Sequence, residues 1–330
     1  MTATGMIRWG VIGPGAIATS FAQAMQEVDD GEIVAVASRS LERASSFADR
    51  FDIANRYSTD TELLSDSEVD VVYVATPASR HEEHTLAALE AGKHVLCEKP
   101  FALNARQAQR MVDAAQSRGR FLMDAMWSRF LPSYRVLGEI LRSGRIGEPL
   151  FVEGDFGYRA QTVDPDDRNF KPELGGGGLL DLGIYPVQLS SLVLGLPEHV
   201  VAEGVVGATG VDEVVAAVLR HAGGKLSVIK AALRVGMSCT ARIAGTDGWI
   251  DIPAFMHCPE WITVTTRPAG AERIDCPPGG SGLRFEIAEV HRCLAAGLTE
   301  SPSMTLAETV ALMSVLDAIR AQIGLVYPGD

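Results

Sequence analysis

The 330 residues carry too few cations to serve a polyanion. Lys and Arg number 29 against 42 Asp and Glu, for a net charge of −13. Nucleic acid and anionic membrane surfaces both call for basic patches, so neither is an expected partner. An anionic cofactor stays open, because backbone amides and one or two cations can hold phosphate. Cysteine is scarce too. Cys97, Cys239, Cys258, Cys276 and Cys293 are odd in number and far apart, and no Cys-x-x-Cys pair occurs. That usage fits free thiols in a reducing compartment. The start, "MTATGMIRWGVIGPG", has one early cation and no run long enough for a signal-peptide core. No stretch approaches the ~18 apolar residues of a membrane-spanning helix. These absences lead us to expect a cytoplasmic protein. Internal repeats and low-complexity tracts are also missing.

Apolar material is plentiful, at 47% hydrophobic against 22% charged residues. At roughly 150 residues per domain, the length suggests two. Residues 1–125 alternate short apolar runs (7–13, 32–38, 69–75, 94–98, 120–125) with helical patterns (16–28, 41–51, 81–92, 105–119). Continuous apolar strands, each followed by a helix, predict a parallel, doubly wound sheet covered on both faces. Its ligand belongs beyond the carboxyl ends of the strands. Residues 126–330 read as an α+β domain for substrate binding and oligomerisation. A helix at 133–143 comes first. Strand patterns follow at 200–210, 212–221, 225–235, 239–252 (with "GTDG" as a turn) and 261–268. Helices at 284–296 and 305–322 close the chain. The expected sheet is open and mostly antiparallel, with helices on one face.

"GVIGPGAIA" places Gly13, Gly15 and Ala18 as G-x-G-x-x-A between a strand and a helix. The first glycine permits the turn and the second lets the backbone approach a pyrophosphate. The third position lets helix pack on strand, while Ala16 and Ile17 face the anion at the helix start. A dinucleotide site usually has an acid at the end of its second strand for NAD. Here Ser38 and Arg39 stand instead, and a guanidinium suits a 2′-phosphate. NADP(H) is therefore expected over NAD(H), the alternative being that Arg39 is a solvated loop cation. After the third strand, Thr76 and Pro77 fall where a nicotinamide ribose would lie. His81 and His84 read as helix-start packing, with His81 near the cofactor. Nothing close by completes a metal site, and no metal is expected.

Glu98 and Lys99, followed by Pro100, end the fourth strand. Residues 175–187, "GGGGLLDLGIYPV", run four glycines into an apolar stretch with Asp181 and Tyr185. If 178–194 is helical, these two lie one turn apart on one face. Pro186 then kinks the helix or marks a later start. On the bare residues, a packing aromatic and a helix cap are the simpler readings. A neighbouring ammonium would, however, lower a tyrosine pKa from about 10, making Tyr185 and Lys99 an acid–base pair.

In order and separation, "GxGxxA" at 13–18, "ATP" at 75–77, "EKP" at 98–100 and "GGGxLLDLGIY" at 175–185 resemble the glucose–fructose oxidoreductase / inositol dehydrogenase / MocA family over essentially the whole chain. The resemblance implies a Rossmann domain followed by an open-sheet domain, and NAD(P)-dependent hydride transfer to or from a sugar, polyol or dihydrodiol. It also implies Lys99, Asp181 and Tyr185 as catalytic residues, a cis Lys99–Pro100 bond, and a homodimer or homotetramer through the C-terminal sheet. Tyr185 and "DAMWSRFLPSY" (124–134) lean toward the dihydrodiol dehydrogenase and NADP-dependent sugar dehydrogenase branch. Where many members carry Asn after "TP", this chain has Ala78. Trp127, Arg129, Arg168, Asn169 and Lys171 are candidate substrate contacts, each equally readable as structural or solvated. The rival expectation from another class is a non-catalytic NAD(P)-binding sensor of the same fold.

Overall fold

The structure, a computed structural model, describes residues 5–267 and 269–330. Pro268, the last residue of the expected strand 261–268, lies outside them. The chain divides into two compact units. The first holds the chain up to Ala102, then Arg106–Phe130 and Gly279–Thr309. The second holds Leu103–Ala105, Leu131–Pro278 and Val310–Asp330. The division by contacts is thus not one cut at 125/126: 126–130 and 279–309 group with the first unit and 103–105 with the second.

The first unit is built on a six-stranded parallel sheet. Its strands are β1 (Ile7–Ile12), β2 (Gly31–Ala37), β3 (Asn55–Tyr57), β4 (Val71–Val74), β5 (His94–Cys97) and β6 (Leu122–Asp124). The order is β3-β2-β1-β4-β5-β6, which reverses between β1 and β4. That switch point opens a crevice at the strands' carboxyl ends. Helices α1 (Ala16–Met25), α2 (Leu41–Phe51), α3 (Asp60–Ser65), α4 (His81–Glu90) and α5 (Ala105–Arg118) follow the strands. Two short elements, β3 and α3, lie outside the expected pattern. Trp9, Phe21 and Tyr73 pack in the core, Phe21 stacking on Tyr73 at 3.9 Å.

The returning segment brings a helix, Arg284–Ala295, back to this unit. From it His291 accepts the Trp9 indole N–H at 3.0 Å, and its other ring nitrogen lies 2.7 Å from Asp30. A buried indole N–H needs such an acceptor.

In the second unit, α6 (Pro132–Arg142) precedes β7 (Pro149–Gly157), and α7 (Ile184–Leu194) follows it. Then come β8 (Pro197–Val206), β9 (Asp212–His221), β10 (Leu226–Ala232), β11 (Ala241–Gly245), β12 (Gly248–Ile252), β13 (Trp261–Thr266) and β14 (Gly270–Asp275). The sheet order is β14-β13-β12-β11-β7-β10-β9-β8, with only the β7–β10 pair parallel. Thr246 and Asp247 make the expected turn between β11 and β12. The sequence pattern passed over β7 and β14. In β7, acids on one face (Glu153, Asp155) interrupt the apolar run. Helices Arg284–Ala295 (α8) and Leu306–Ile323 (α9) end the chain.

One helical run, Pro172–Leu194, is long and apolar enough to cross a membrane, contrary to the expectation that none is. Of its most apolar window 83% is buried inside the protein, so it is a core element.

Candidate active site

Gly13 leaves β1 at φ +91°, where a Cβ would sit 2.8 Å from the Thr76 methyl. The loops after β1 and β4 meet because residue 13 has no side chain. Gly15 caps α1 with no side-chain hydrogen bond, no acid occupies the first turn, and a Cβ on Gly15 would meet nothing within 4 Å. Ala16 is exposed, Ile17 half-buried, and Ala18 fully buried against the sheet. An uncapped helix N-terminus with open space before it is a cradle that fits a pyrophosphate.

Arg39 is exposed just past β2, beside the half-buried Ser38, whose hydroxyl accepts the Ser40 amide at 3.3 Å. No carboxylate stands between Ala37 and Glu42. The Arg39 charge reaches His84, whose pKa is lowered by burial first. Thr76 Oγ1 lies 3.0 Å from His84 Nδ1. His81 is buried, with Nδ1 2.8 Å from the Pro100 carbonyl and Nε2 2.7 Å from that of Thr76. Burial pushes its pKa down to about 4, outweighing the two carbonyls. A neutral ring donates to one of them. The imidazole lies between the turn of Thr76 and Pro77 and that of Lys99 and Pro100, whose bond is cis.

Behind Lys99 lies a knot of buried acids. The Tyr73 hydroxyl donates to Glu98, and the Lys99 amide donates to the other carboxylate oxygen at 3.1 Å. Asp124, at the end of β6, and Glu286, on α8, are buried beside it. Both Glu286 oxygens and one of Asp124 lack a protein hydrogen-bond partner. Burial, then the Glu98 charge, pushes Asp124 up to about 8, while Arg129 and Lys99 pull the other way. Glu286 is driven well above the carboxylate range by the same two causes. Both are neutral acids at pH 7. Arg129 is buried and ion-paired with Glu308. Trp127, half-buried, opens the same short turn, Trp127–Phe130.

In the second unit, the expected helix 178–194 begins with a π-turn, Leu179–Gly183, before α7. Pro186 has no N–H for the Leu182 carbonyl, and the wider turn lies just ahead of it. The proline packs against β7, where a Cβ on Gly154 would be 3.1 Å from its own Cβ. Asp181 is half-buried within the turn, and Tyr185, 4% exposed, lies on the first turn of α7. The Tyr185 ring sits 5.6 Å from Phe156 and 4.9 Å from His257, which itself stacks on Phe156 at 4.7 Å. Near Asp181 lies Tyr158. Its pKa is raised by burial, then by the charges of Asp181 and Asp167, and Arg168 opposes them. Arg168 is exposed, Asn169 half-buried, and Lys171 pairs with Asp166 at 2.9 Å.

The glycine run is crowded by the protein itself. A Cβ on Gly176 would lie 2.6 Å from the Asn169 carbonyl, and one on Gly177 (φ +123°) 2.2 Å from the Asp212 carboxylate. The glycines are there because protein backbone and a buried acid crowd them.

Models of the oxidoreductase family with an NAD-binding Rossmann fold and of the GFO/IDH/MocA C-terminal domain match residues 7–125 and 134–251. This chain belongs to the GFO/IDH/MocA oxidoreductase family. As a GFO/IDH/MocA protein it is an NAD(P)-dependent oxidoreductase. It is 37% identical to a trans-1,2-dihydrobenzene-1,2-diol dehydrogenase of Mus musculus, over 98% of this chain and 99% of that one. The Xenopus laevis protein of the same name is 35% identical over 97% and 99%. Among solved structures, a 3-ketoreductase from Actinomadura kijaniata in complex with NADP and TDP-benzene has a TM-score of 0.87 and 28% identity, covering 96% of this chain and 98% of that one. An aldose-aldose oxidoreductase from Caulobacter crescentus complexed with glycerol, 24% identical over 96% of this chain and 97% of that one, also has a TM-score of 0.87 and speaks to the fold alone.

Sequence reasoning for this GFO/IDH/MocA chain missed Phe156, His257, Glu286 and Asp212. Phe156 was hidden with β7, and His257 stands in an irregular segment with no periodicity to flag it. Only burial distinguishes Glu286 and Asp212 from ordinary surface acids.

Proposed function

We propose that the chain transfers a hydride between NADP(H) and a sugar, polyol or dihydrodiol-type alcohol or the corresponding carbonyl. The bound nicotinamide supplies or accepts the hydride. The first unit binds the dinucleotide through Gly13, Gly15, Ala16, Ile17, Thr76, Pro77 and Glu98, with Ser38 and Arg39 at the adenosine ribose. His81 positions the two turns around it. The second unit, joined by Trp127, binds substrate, with Arg168 and Asn169 at its polar side. The Tyr185 hydroxyl gives or takes the proton at the substrate oxygen, and the Lys99 ammonium stabilises the phenolate. Asp181 orients substrate hydroxyls. Arg129, buried on Glu308, supports the Trp127 turn.

One observation carries this reading: a buried tyrosine packed against the stacked pair Phe156 and His257, next to a π-turn that holds a half-buried acid. An open carboxyl end at β2 with Arg39 and no acid favours NADP(H), as does the NADP bound to the Actinomadura ketoreductase. The test is NADPH oxidation over a panel of keto-sugars and diketones, beside NADPH and NADH binding read by fluorescence. Turnover on some members is expected, with NADPH bound more tightly. Arg39→Ala should erase most of that preference, by about tenfold for one lost charge-assisted contact. Binding without turnover on every compound would make the protein a sensor, and an unchanged preference would remove Arg39.

The subunits associate through the open face of the C-terminal sheet. Val201 and Val218 are cross-strand partners there, and Val205 is 58% exposed. Apolar stripes of this kind seek a cover. Sedimentation should give an oligomer for the wild type and the monomer mass for Val205→Asp/Val218→Asp, and a wild-type monomer would refute the association. Unpaired cysteines agree with a cytoplasmic setting.

A further inference from the structure

Asp212 begins β9 and is fully buried. A carboxylate so placed needs a reason, since an ordinary strand start is exposed and an unpaired buried acid is costly. Its partners give one. The carboxylate accepts the backbone N–H of Leu179 at 2.7 Å, and the nearby Gly178 and Asp212 amides also favour its charge. Leu179 is the first residue of the π-turn, and Asp181 and Tyr185 follow two and six residues later. The glycines before the turn fit around the same acid. Gly177 has no room for a Cβ beside the Asp212 oxygen, and a Cβ on Gly178 would be 3.3 Å from the other. The Tyr327 hydroxyl donates to the Gly176 carbonyl at 2.6 Å, closing the collar from the chain's end.

We propose that Asp212 is a positioning residue for the reaction. Its carboxyl group, clamped to the Leu179 amide, holds the π-turn that presents Asp181 and Tyr185. The inference rests on the roles proposed above for those two residues. A π-turn is a poorly stable element by itself. One whose first amide is tied to a strand cannot slide back into regular helix or fray toward solvent. Without the tie, the glycines that make room for Asp212 become a flexible hinge.

Asp212 feels the charge of Arg320 on α9 and acts on Tyr327, which in turn feels Arg320, Asp330 and Asp181. Burial outweighs the amides and Arg320, and pushes the acid up to about 7. Below that pH the acid is neutral, and one oxygen still accepts the Leu179 amide. An acid whose pKa is raised on folding loses stabilisation as pH climbs toward the raised value. Opening of the clamp, which hydrates Asp212, therefore becomes easier between about pH 4 and 7 and levels off above. Asparagine mimics the neutral acid and does not titrate.

The test is hydrogen exchange of residues 177–185, corrected for intrinsic rates, in the full-length wild type, Asp212→Ala and Asp212→Asn at pH 5, 6.5 and 8. Asp212→Ala should speed exchange there by roughly tenfold or more and leave residues 7–25 unchanged. Asp212→Asn should restore protection and abolish the pH dependence seen in the wild type. Reduction of 2,3-butanedione by NADPH is the second readout. Asp212→Ala should lose about 10- to 100-fold in kcat with NADPH affinity unchanged, as expected for a misplaced proton donor, and Asp212→Asn should recover most of it. Equal protection of 177–185 in wild type and Asp212→Ala would overturn the proposal. So would a pH dependence that persists in Asp212→Asn, which decides the matter even if the alanine variant fails to fold. Exchange needs no substrate, so the clamp can fail while Tyr185 stands, and Tyr185→Phe measured alongside shows the converse.

Discussion

Tyr185→Phe should lower kcat by about 10²- to 10⁴-fold, the usual worth of a positioned general acid or base, while NADPH binding stays within about twofold. The substitution removes one hydroxyl and little else. Phe156 and His257 hold the ring by its faces and edges, and a phenylalanine ring fills the same space. Packing is therefore preserved, and the melting temperature should move by less than ~2 °C, as for a loss of well under 1 kcal/mol. Steady-state kinetics with the best compound of the panel, beside a thermal melt, decide the matter. Turnover within about threefold of wild type would take Tyr185 out of the chemistry and return it to the packing role that the bare residues suggest.

Asp124→Asn should make the protein more stable above about pH 4.5, by a margin that grows up to about pH 8 and is constant beyond. Asp124 holds its proton in the folded protein up to about pH 8, while the unperturbed value is 3.8. The folded state thus binds more protons than the unfolded chain over that window. Stability falls as pH climbs from about 4 to about 8 and is flat beyond. Roughly 4 units at 1.36 kcal/mol each give an upper bound of about 6 kcal/mol. Asparagine has the same shape and no proton to lose. At pH 9 its melting temperature should exceed the wild type's by ~5 °C or more, and near pH 4.5 the two should converge. Glu286 is present in both proteins, so its own titration does not create the gap. A difference that stays constant from pH 4.5 to 9 would show that Asp124 is not held neutral by its surroundings.

The parallel half was legible because its strands are covered on both faces. Val71–Val74 is buried throughout, and such runs announce themselves as unbroken apolar stretches. The nucleotide cradle was legible for a related reason: a tight turn onto a helix leaves few residue choices. Strand β7 was not, since the exposed Glu153 and the buried Asp155 break the apolar run. Neither was the place of α8, because amphipathicity tells a helix which face to bury and not against which partner. The crowding around the glycine run was not legible either, because Asp212 looks like any other polar strand start.

The dispersed first unit has a consequence for how the chain is made. Trp9 emerges from the ribosome some 280 residues before its buried acceptor, His291. Until then the buried indole N–H has not met the acceptor it needs. The nucleotide-binding half therefore cannot finish folding once residue 125 has been made, as a contiguous domain would. It waits for residues 279–309, and a fragment ending at 125 lacks the piece that completes it.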